Sequence, residues 1–178
     1  MDLTLAKVWL ASAVMDVGAQ LHAELAQRGL TVATAESMTG GSVADLVSAA
    51  PGASATYLGG VVSYATEVKQ QVLRVPDGVV EEYGVVSAPC AAAMATGVRD
   101  LIGTDYGVST TGVAGPTPQE GKPVGLVYVG IAGPYGVDTH ELQLEGDRAE
   151  IRAAATERAV TLLLEAVVHG PQQEPLEV

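Results

Sequence analysis

Phenylalanine is missing from this 178-residue chain, Trp9 is its only tryptophan, and aromatic residues make up 4% of it. Any core must therefore be filled by aliphatic side chains, and the aromatic platforms on which unpaired bases stack are scarce. Positive charge is scarce too: nine Lys and Arg stand against twenty-one Asp and Glu, a formal net charge of −12. Such a surface repels phosphate backbones at long range, which argues against nucleic acid as a partner. One small anionic ligand remains admissible, because backbone amides and a few local cations can hold a phosphate against the overall field. Cys90 is the lone cysteine, so an intrachain disulfide and a thiolate metal cage are excluded. Within "SAPCAAAMATGV" it reads as a small buried side chain. No stretch reaches the roughly eighteen uninterrupted apolar residues of a membrane span, and the first residues lack a basic leader region. A cytoplasmic protein without membrane association is expected.

What the chain does contain suits a folded domain: 48% hydrophobic residues, 17% charged residues and no low-complexity tract. We read residues 1–169 as a single domain and residues 170–178 as a loose tail. Leu10, Val14, Val17, Leu21 and Leu25 recur at three- and four-residue spacing, a helix ending near Gly29. "LTVATA" follows as a buried strand. Ser42 and Asp45 match a capping pattern for a helix stopped by Pro51-Gly52. "TYLGGVVSYA" is a strand, and "TEVKQQVLRV" a helix with Thr66 as its cap. Ser87 caps "APCAAAMATGVRDLI", with Gly103 just past its end. "YGVSTTGVAG", "VGLVYVGIAG" and "VDTHELQLEG" are three further strands, and the helix "RAEIRAAATERAVTLLLEAVV" closes the domain. Alternating elements first and clustered strands later imply an α/β fold, three-layer α/β/α, with a mixed, largely parallel sheet. Strand order is not legible. An aliphatic-rich chain with short loops also suits a homodimer.

Three segments carry groups with chemistry. In "AESMTGG" a serine sits where a strand hands over to a helix. Ser37 is either part of a capped helix entry or a nucleophile, with Gly40 and Gly41 N–H groups available for an oxyanion or a phosphate and Thr39 beside them. The G-x-S-x-G elbow does not fit, and His22, His140 and His169 lie where a catalytic base is not expected. In "VVSYATEVKQQ" the cation Lys69 falls in the first turn of a helix, where the dipole disfavours it. It is either a solvated surface lysine or a desolvated base. Lowering a lysine from ~10.4 to the ~7–8 useful near neutrality costs about 4 kcal/mol, which burial would have to supply. Tyr64 is either an ordinary strand tyrosine or a group that relays a proton or holds Lys69. In "TTGVAGPTPQEGKPVG", Gly112 and Gly115 belong to a wide hairpin or to a loop that approaches a ligand. Arg148, in "EGDR", is a surface charge or an anion contact. No metal-ligating cluster stands out.

Taken in order, AESMTGG, G-G-V-V-S-Y-x-x-x-x-K, G-V-V-S-A-P, T-G-V-A-G-P with K-P-V-G, and G-D-R resemble the CinA C-terminal domain family, from about Leu5 to Val168. That resemblance implies a serine amidohydrolase converting nicotinamide mononucleotide to nicotinic acid mononucleotide and ammonia. It carries the nucleophile onto Ser37 and the lysine base onto Lys69, with Tyr64 beside them. Thr39, Gly40, Gly41, Gly112, Gly115 and Arg148 become oxyanion or substrate contacts, and no metal or organic cofactor is required. Larger family members add a pyrophosphatase-type domain for which this chain has no room. Met38 replaces a common cysteine, Ala65-Thr66 a common Ser-Asn, and TPQE a common glycine-rich continuation. A non-catalytic nucleotide-binding module and an amidase for another small carboxamide are the alternatives.

Overall fold

The computed structural model describes residues 17–170. The start of the first helix, with Leu10 and Val14, and the tail from 171 onward lie outside the described residues. Within them the order is α1 (residues 17–28), β1 (Val32–Glu36), α2 (Ser42–Ser48), a 3-10 turn (Ala53–Ala55), β2 (Tyr57–Val62), α3 (Thr66–Gln71) and α4 (Asp77–Tyr83). Then come α5 (Ala88–Ile102), β3 (Tyr106–Gly112), β4 (Leu126–Gly133), β5 (Gly136–Gln143) and α6 (Arg148–His169).

The five strands form one sheet in the order β2-β1-β3-β4-β5. The expected mixed α/β sheet is present, but it is partly rather than largely parallel: β1 pairs in parallel with β2 and β3, while β3·β4 and β4·β5 are antiparallel. Parallel pairing is thus confined to the half of the sheet where long crossovers return the chain to the same end.

β1 and β3 are buried along their whole length because helices cover both faces. Strand alternation sends Val32, Val108, Val129 and Ile131 to one face, where they pack with Leu21 and Leu25 of α1, Val43 and Val47 of α2, and Val160 and Leu163 of α6. Ala33 and Ala35 face the other side and meet Cys90, Met94 and Val98 of α5. The alanine-rich α5 comes very close to the sheet: a methyl built on Gly107 would lie 2.2 Å from the Ala95 carbonyl oxygen, and one on Gly130 2.4 Å from that of Ala91. Close approach of small residues fills this core in place of aromatic rings.

Two expected caps need correction: Thr66 is the first residue of α3, whose N-cap is Ala65 with no side-chain cap, and the cap of α2 differs as well. Ser42 and Asp45 form no capping box: α2 begins after Gly41 with no side-chain cap from its own N-cap, and Ser42 Oγ donates to the Thr39 carbonyl. Helix α4 escaped notice because none of its seven residues is buried, so it shows no apolar stripe. Ser87 does cap α5, accepting the Cys90 N–H.

The strand order creates a switch point. From β1 the chain crosses to β2 on one side and then returns to β3 on the other, leaving a crevice beyond the carboxyl ends of β1 and β3.

Candidate active site

Ser37 follows β1 directly and lies in that crevice, its N–H donating to the Thr110 carbonyl of β3 at 3.0 Å. The turn that carries it is fixed from below by Glu36, whose side chain is 1% exposed. Its Oε2 accepts from Thr39 Oγ1 (2.7 Å), Gly41 N (2.9 Å) and Val43 N (3.0 Å), and its Oε1 from Ala44 N (2.7 Å). A carboxylate from the strand thus does the work of an N-cap side chain for α2. From above, Arg152 of α6 donates to the Met38 carbonyl at 3.1 Å and the Thr39 carbonyl at 2.6 Å.

Lys69 of α3 is 1% exposed. Side chains in a helix lean toward its N-terminus, so the Lys69 amine returns to the chain that leads into α3. There it donates to the carbonyls of Ser63 (2.5 Å) and Tyr64 (3.5 Å), and it lies 3.0 Å from Ser37 Oγ. A neutral amine has two N–H donors and one lone pair. With both donors on carbonyls, the lone pair is left for the serine hydroxyl.

Burial pushes the Lys69 amine below its ordinary 10.5, and the Cys90 thiol and Glu120 carboxylate pull the other way. Burial also pushes Cys90 up to about 11, against the pull of Lys69. At neutral pH Cys90 is an uncharged thiol, so burial and Glu120 remain as the main influences on the lysine. No opposing carboxylate bonds the amine directly, and its position favours the neutral form.

A cleft of about 330 Å³ opens over these groups, a size suited to a small molecule. Ser37, Lys69, Tyr64, Gly112, Gly115 and Arg148, all singled out from sequence, line it together with Met38, Thr111, Ala114, Thr117 and Gln119. Tyr64 enters differently than expected. Its ring is 61% exposed and its hydroxyl accepts from the Arg148 guanidinium at 2.8 Å; its carbonyl, not its phenol, meets Lys69. Arg148 also donates to the Gly115 carbonyl at 2.7 Å, at the first residue of an α6 capped by Asp147 and Glu150. A cation at that end works against the helix dipole.

Thr39, Gly40 and Gly41 stand apart from the cleft lining. The Gly41 N–H is taken by Glu36 and the Gly40 N–H by the Ser37 carbonyl at 3.2 Å, so neither is free for an oxyanion. Their left-handed backbones (φ 63 and 102) make the turn instead. Thr39 is fully buried between Glu36 and Thr110. Residues of the cleft lining whose N–H has no acceptor among the described residues include Met38, Ala114 and Gly115. Glu36, Ser63 and Arg152 carried no signal in the sequence beyond their residue types. Histidine is absent from the lining: His22 is buried against Thr56 and the Val47 carbonyl, and His169 bonds its own helix. Among the described residues no group of His, Cys, Asp and Glu could hold a metal ion, and no helix is long and apolar enough to cross a membrane.

Comparison with known proteins places the chain in a family. The model of the CinA C-terminal domain family matches residues 15–167. A CinA-like protein of Frankia casuarinae is 50% identical over 150 residues, covering 84% of this chain and 35% of that protein. A putative competence-damage inducible protein of Geobacillus kaustophilus is 48% identical over 143 residues, 79% of this chain and 34% of the relative. The chain therefore spans about a third of the length of these curated relatives. Among solved structures, the competence damage-inducible protein A from Klebsiella pneumoniae superposes with a TM-score of 0.86 at 31% identity, over 88% of this chain and 98% of that one. The competence/damage inducible protein from Agrobacterium tumefaciens does so with 0.82 at 32%, over 85% and 94%.

Proposed function

Because this chain belongs to the CinA C-terminal domain family, we propose that it is an amidohydrolase that deamidates nicotinamide mononucleotide to nicotinic acid mononucleotide and ammonia. The observation that carries the reading is the buried Lys69 amine 3.0 Å from Ser37 Oγ, with its donors turned to two carbonyls.

Ser37 Oγ adds to the carboxamide carbon while the neutral Lys69 takes its proton. The oxyanion that forms is met by the N–H of Met38, the residue after the nucleophile, and by that of Ala114 or Gly115. Lys69 returns the proton to the departing nitrogen, the C–N bond breaks, and ammonia leaves an acyl-serine. Water, deprotonated by the same amine, then adds to the ester; the C–O bond to Ser37 breaks as Lys69 returns that proton to Ser37 Oγ, and the carboxylate product leaves. Arg148 takes the substrate's phosphate at the rim, exchanging its bond to the Tyr64 hydroxyl for a charge-assisted one. Tyr64 positions Arg148, and its carbonyl steadies the lysine. The chemistry needs no cofactor and no nucleic acid. We place the enzyme in the cytoplasm, as a chain that can pair with a second copy.

Ammonia release from nicotinamide mononucleotide by the purified protein tests the reading. Turnover that disappears in Ser37→Ala and in Lys69→Met is expected. No release by the wild type, or release undiminished in Ser37→Ala, contradicts it; release from a different small carboxamide alone would keep the chemistry and change the substrate.

A further inference from the structure

Two segments far apart in sequence make one part of the cleft's lining: the turn 83–87, which contributes Val85 and Val86, and the loop 113–125, which contributes Thr117, Pro118 and Gln119. They are fastened together with unusual completeness. Glu120 Oε1 accepts from Val85 N at 3.3 Å and Oε2 from Val86 N at 3.2 Å. Lys122 Nζ donates to the Tyr83 carbonyl at 2.9 Å and to that of Val86, and Thr111 Oγ1 donates to the Val85 carbonyl at 2.6 Å. Gly84 admits this grip, since a methyl there would lie 2.5 Å from Glu120 Oε2. Glu120 itself has a left-handed backbone (φ 52) in a turn closed by reciprocal bonds between Gln119 and Lys122. A non-glycine residue persists in that conformation when its surroundings over-determine it, and such residues collect at ligand clamps.

The same turn presents Gln119 and Thr117 to the cleft. Both are exposed, and neither side chain has a hydrogen-bond partner among the described residues. A carboxamide and a hydroxyl each offer donor and acceptor, a match for sugar hydroxyls. They suit a phosphate less well: neither carries a charge, and Arg148 is the exposed cation of the cleft lining.

The geometry points to residues 117–122 as a specificity loop: Gln119 and Thr117 take the ribose hydroxyls of a nucleotide substrate, and Glu120 is the positioning residue that holds them in place by gripping the Val85 and Val86 amides. This rests on the amidohydrolase reading above and deepens it. Recognition through the loop stabilises ground state and transition state alike, so its loss appears in KM rather than kcat.

The test compares two acyl donors. Nicotinamide mononucleotide uses the whole cleft, whereas p-nitrophenyl acetate reports only on Ser37 and Lys69. In Glu120→Ala the KM for nicotinamide mononucleotide should rise on the order of tenfold, with kcat within about threefold; losing the carboxylate that holds the Lys69 amine up should move the acid limb of the p-nitrophenolate burst to lower pH and leave its plateau unchanged. Hydrogen exchange at the Val85 and Val86 amides should quicken. Gln119→Ala, at an exposed position that cannot unfold the chain, should raise the same KM and leave those amides protected. Equal losses on both donors in Glu120→Ala, or an unaltered KM in Gln119→Ala, would overturn the proposal. Should the wild type release no ammonia, the amidohydrolase reading falls by itself. Calorimetry with nicotinamide mononucleotide then decides the loop: weaker binding by Glu120→Ala supports it, and equal binding overturns it.

Discussion

Replacing Glu36 by glutamine alters one atom and removes one charge beneath the nucleophile, and its effect can be worked from the bonds that Glu36 makes. Oε2 serves Thr39, Gly41 and Val43, while Oε1 serves only Ala44. The amide oxygen of glutamine can take the first position and keep three partners. Its NH₂ then faces the Ala44 N–H, donor against donor, at a site that is 1% exposed. One unsatisfied buried donor costs about 1–3 kcal/mol, and losing the negative charge at a helix N-terminus about 0.3–2 kcal/mol. We expect a net loss of about 3 kcal/mol, read as a Tm lowered by roughly 6–12 °C for a chain of this size. Glu36→Ala leaves the Gly41, Val43 and Ala44 N–H groups without an acceptor and should cost more, about 4–6 kcal/mol, a large share of a typical domain's stability. Urea and thermal unfolding of wild type, Glu36→Gln and Glu36→Ala supply the comparison. A seven-residue helix does not hold itself together, so the turn bearing Ser37 should loosen with it and turnover should fall in the same order. Unchanged midpoints in Glu36→Gln would refute the claim that this carboxylate, rather than the glycine-rich turn itself, holds α2 and Ser37 in place.

Other consequences follow from the same geometry. Lys69→Met should abolish turnover and remove a pH dependence of stability. The amine titrates lower in the folded chain than in the unfolded one, so between those values the unfolded state holds the extra proton. Wild-type stability should therefore rise with pH from the depressed folded value toward 10.5, and unfolding midpoints across that window should show a shallower slope in Lys69→Met. Arg152→Met removes the two donors that hold the Met38 and Thr39 carbonyls, so kcat should drop more than KM rises, with stability down by about 1–3 kcal/mol. Gly130→Ala would push a methyl to 2.4 Å from the Ala91 carbonyl oxygen and should destabilise by about 1–3 kcal/mol or more on urea unfolding.

Most of the fold was legible because its elements carry periodic apolar patterns that survive in a single sequence. α1, α5 and α6 show helical spacing, and the strands show alternation or dense valine. Strand order was not legible, since it depends on which buried faces meet in space. α4 was missed because it buries nothing. At the site, local misfits (a serine at a strand-to-helix junction, a cation at the wrong end of a helix) only made Ser37 and Lys69 candidates; the resemblance to the family singled them out, and the coordinates bring them within 3.0 Å. The role given to Gly40 and Gly41 failed for a physical reason. A helix N-terminus seen in sequence looks open to any anion, yet the anion that fills it is Glu36, one residue before the serine and folded back from the strand. Tyr64 lines the cleft, but only coordinates reveal that its carbonyl faces the lysine while its phenol faces Arg148.

The most direct test joins the protonation of Lys69 to the rate. Titrating the Lys69 amine by NMR, with the acid limb of kcat/KM for nicotinamide mononucleotide measured over the same range, should give one midpoint, below 10.5, seen by both methods. A lysine that titrates at or above its ordinary value, or a rate indifferent to its protonation, would contradict catalysis by a neutral amine.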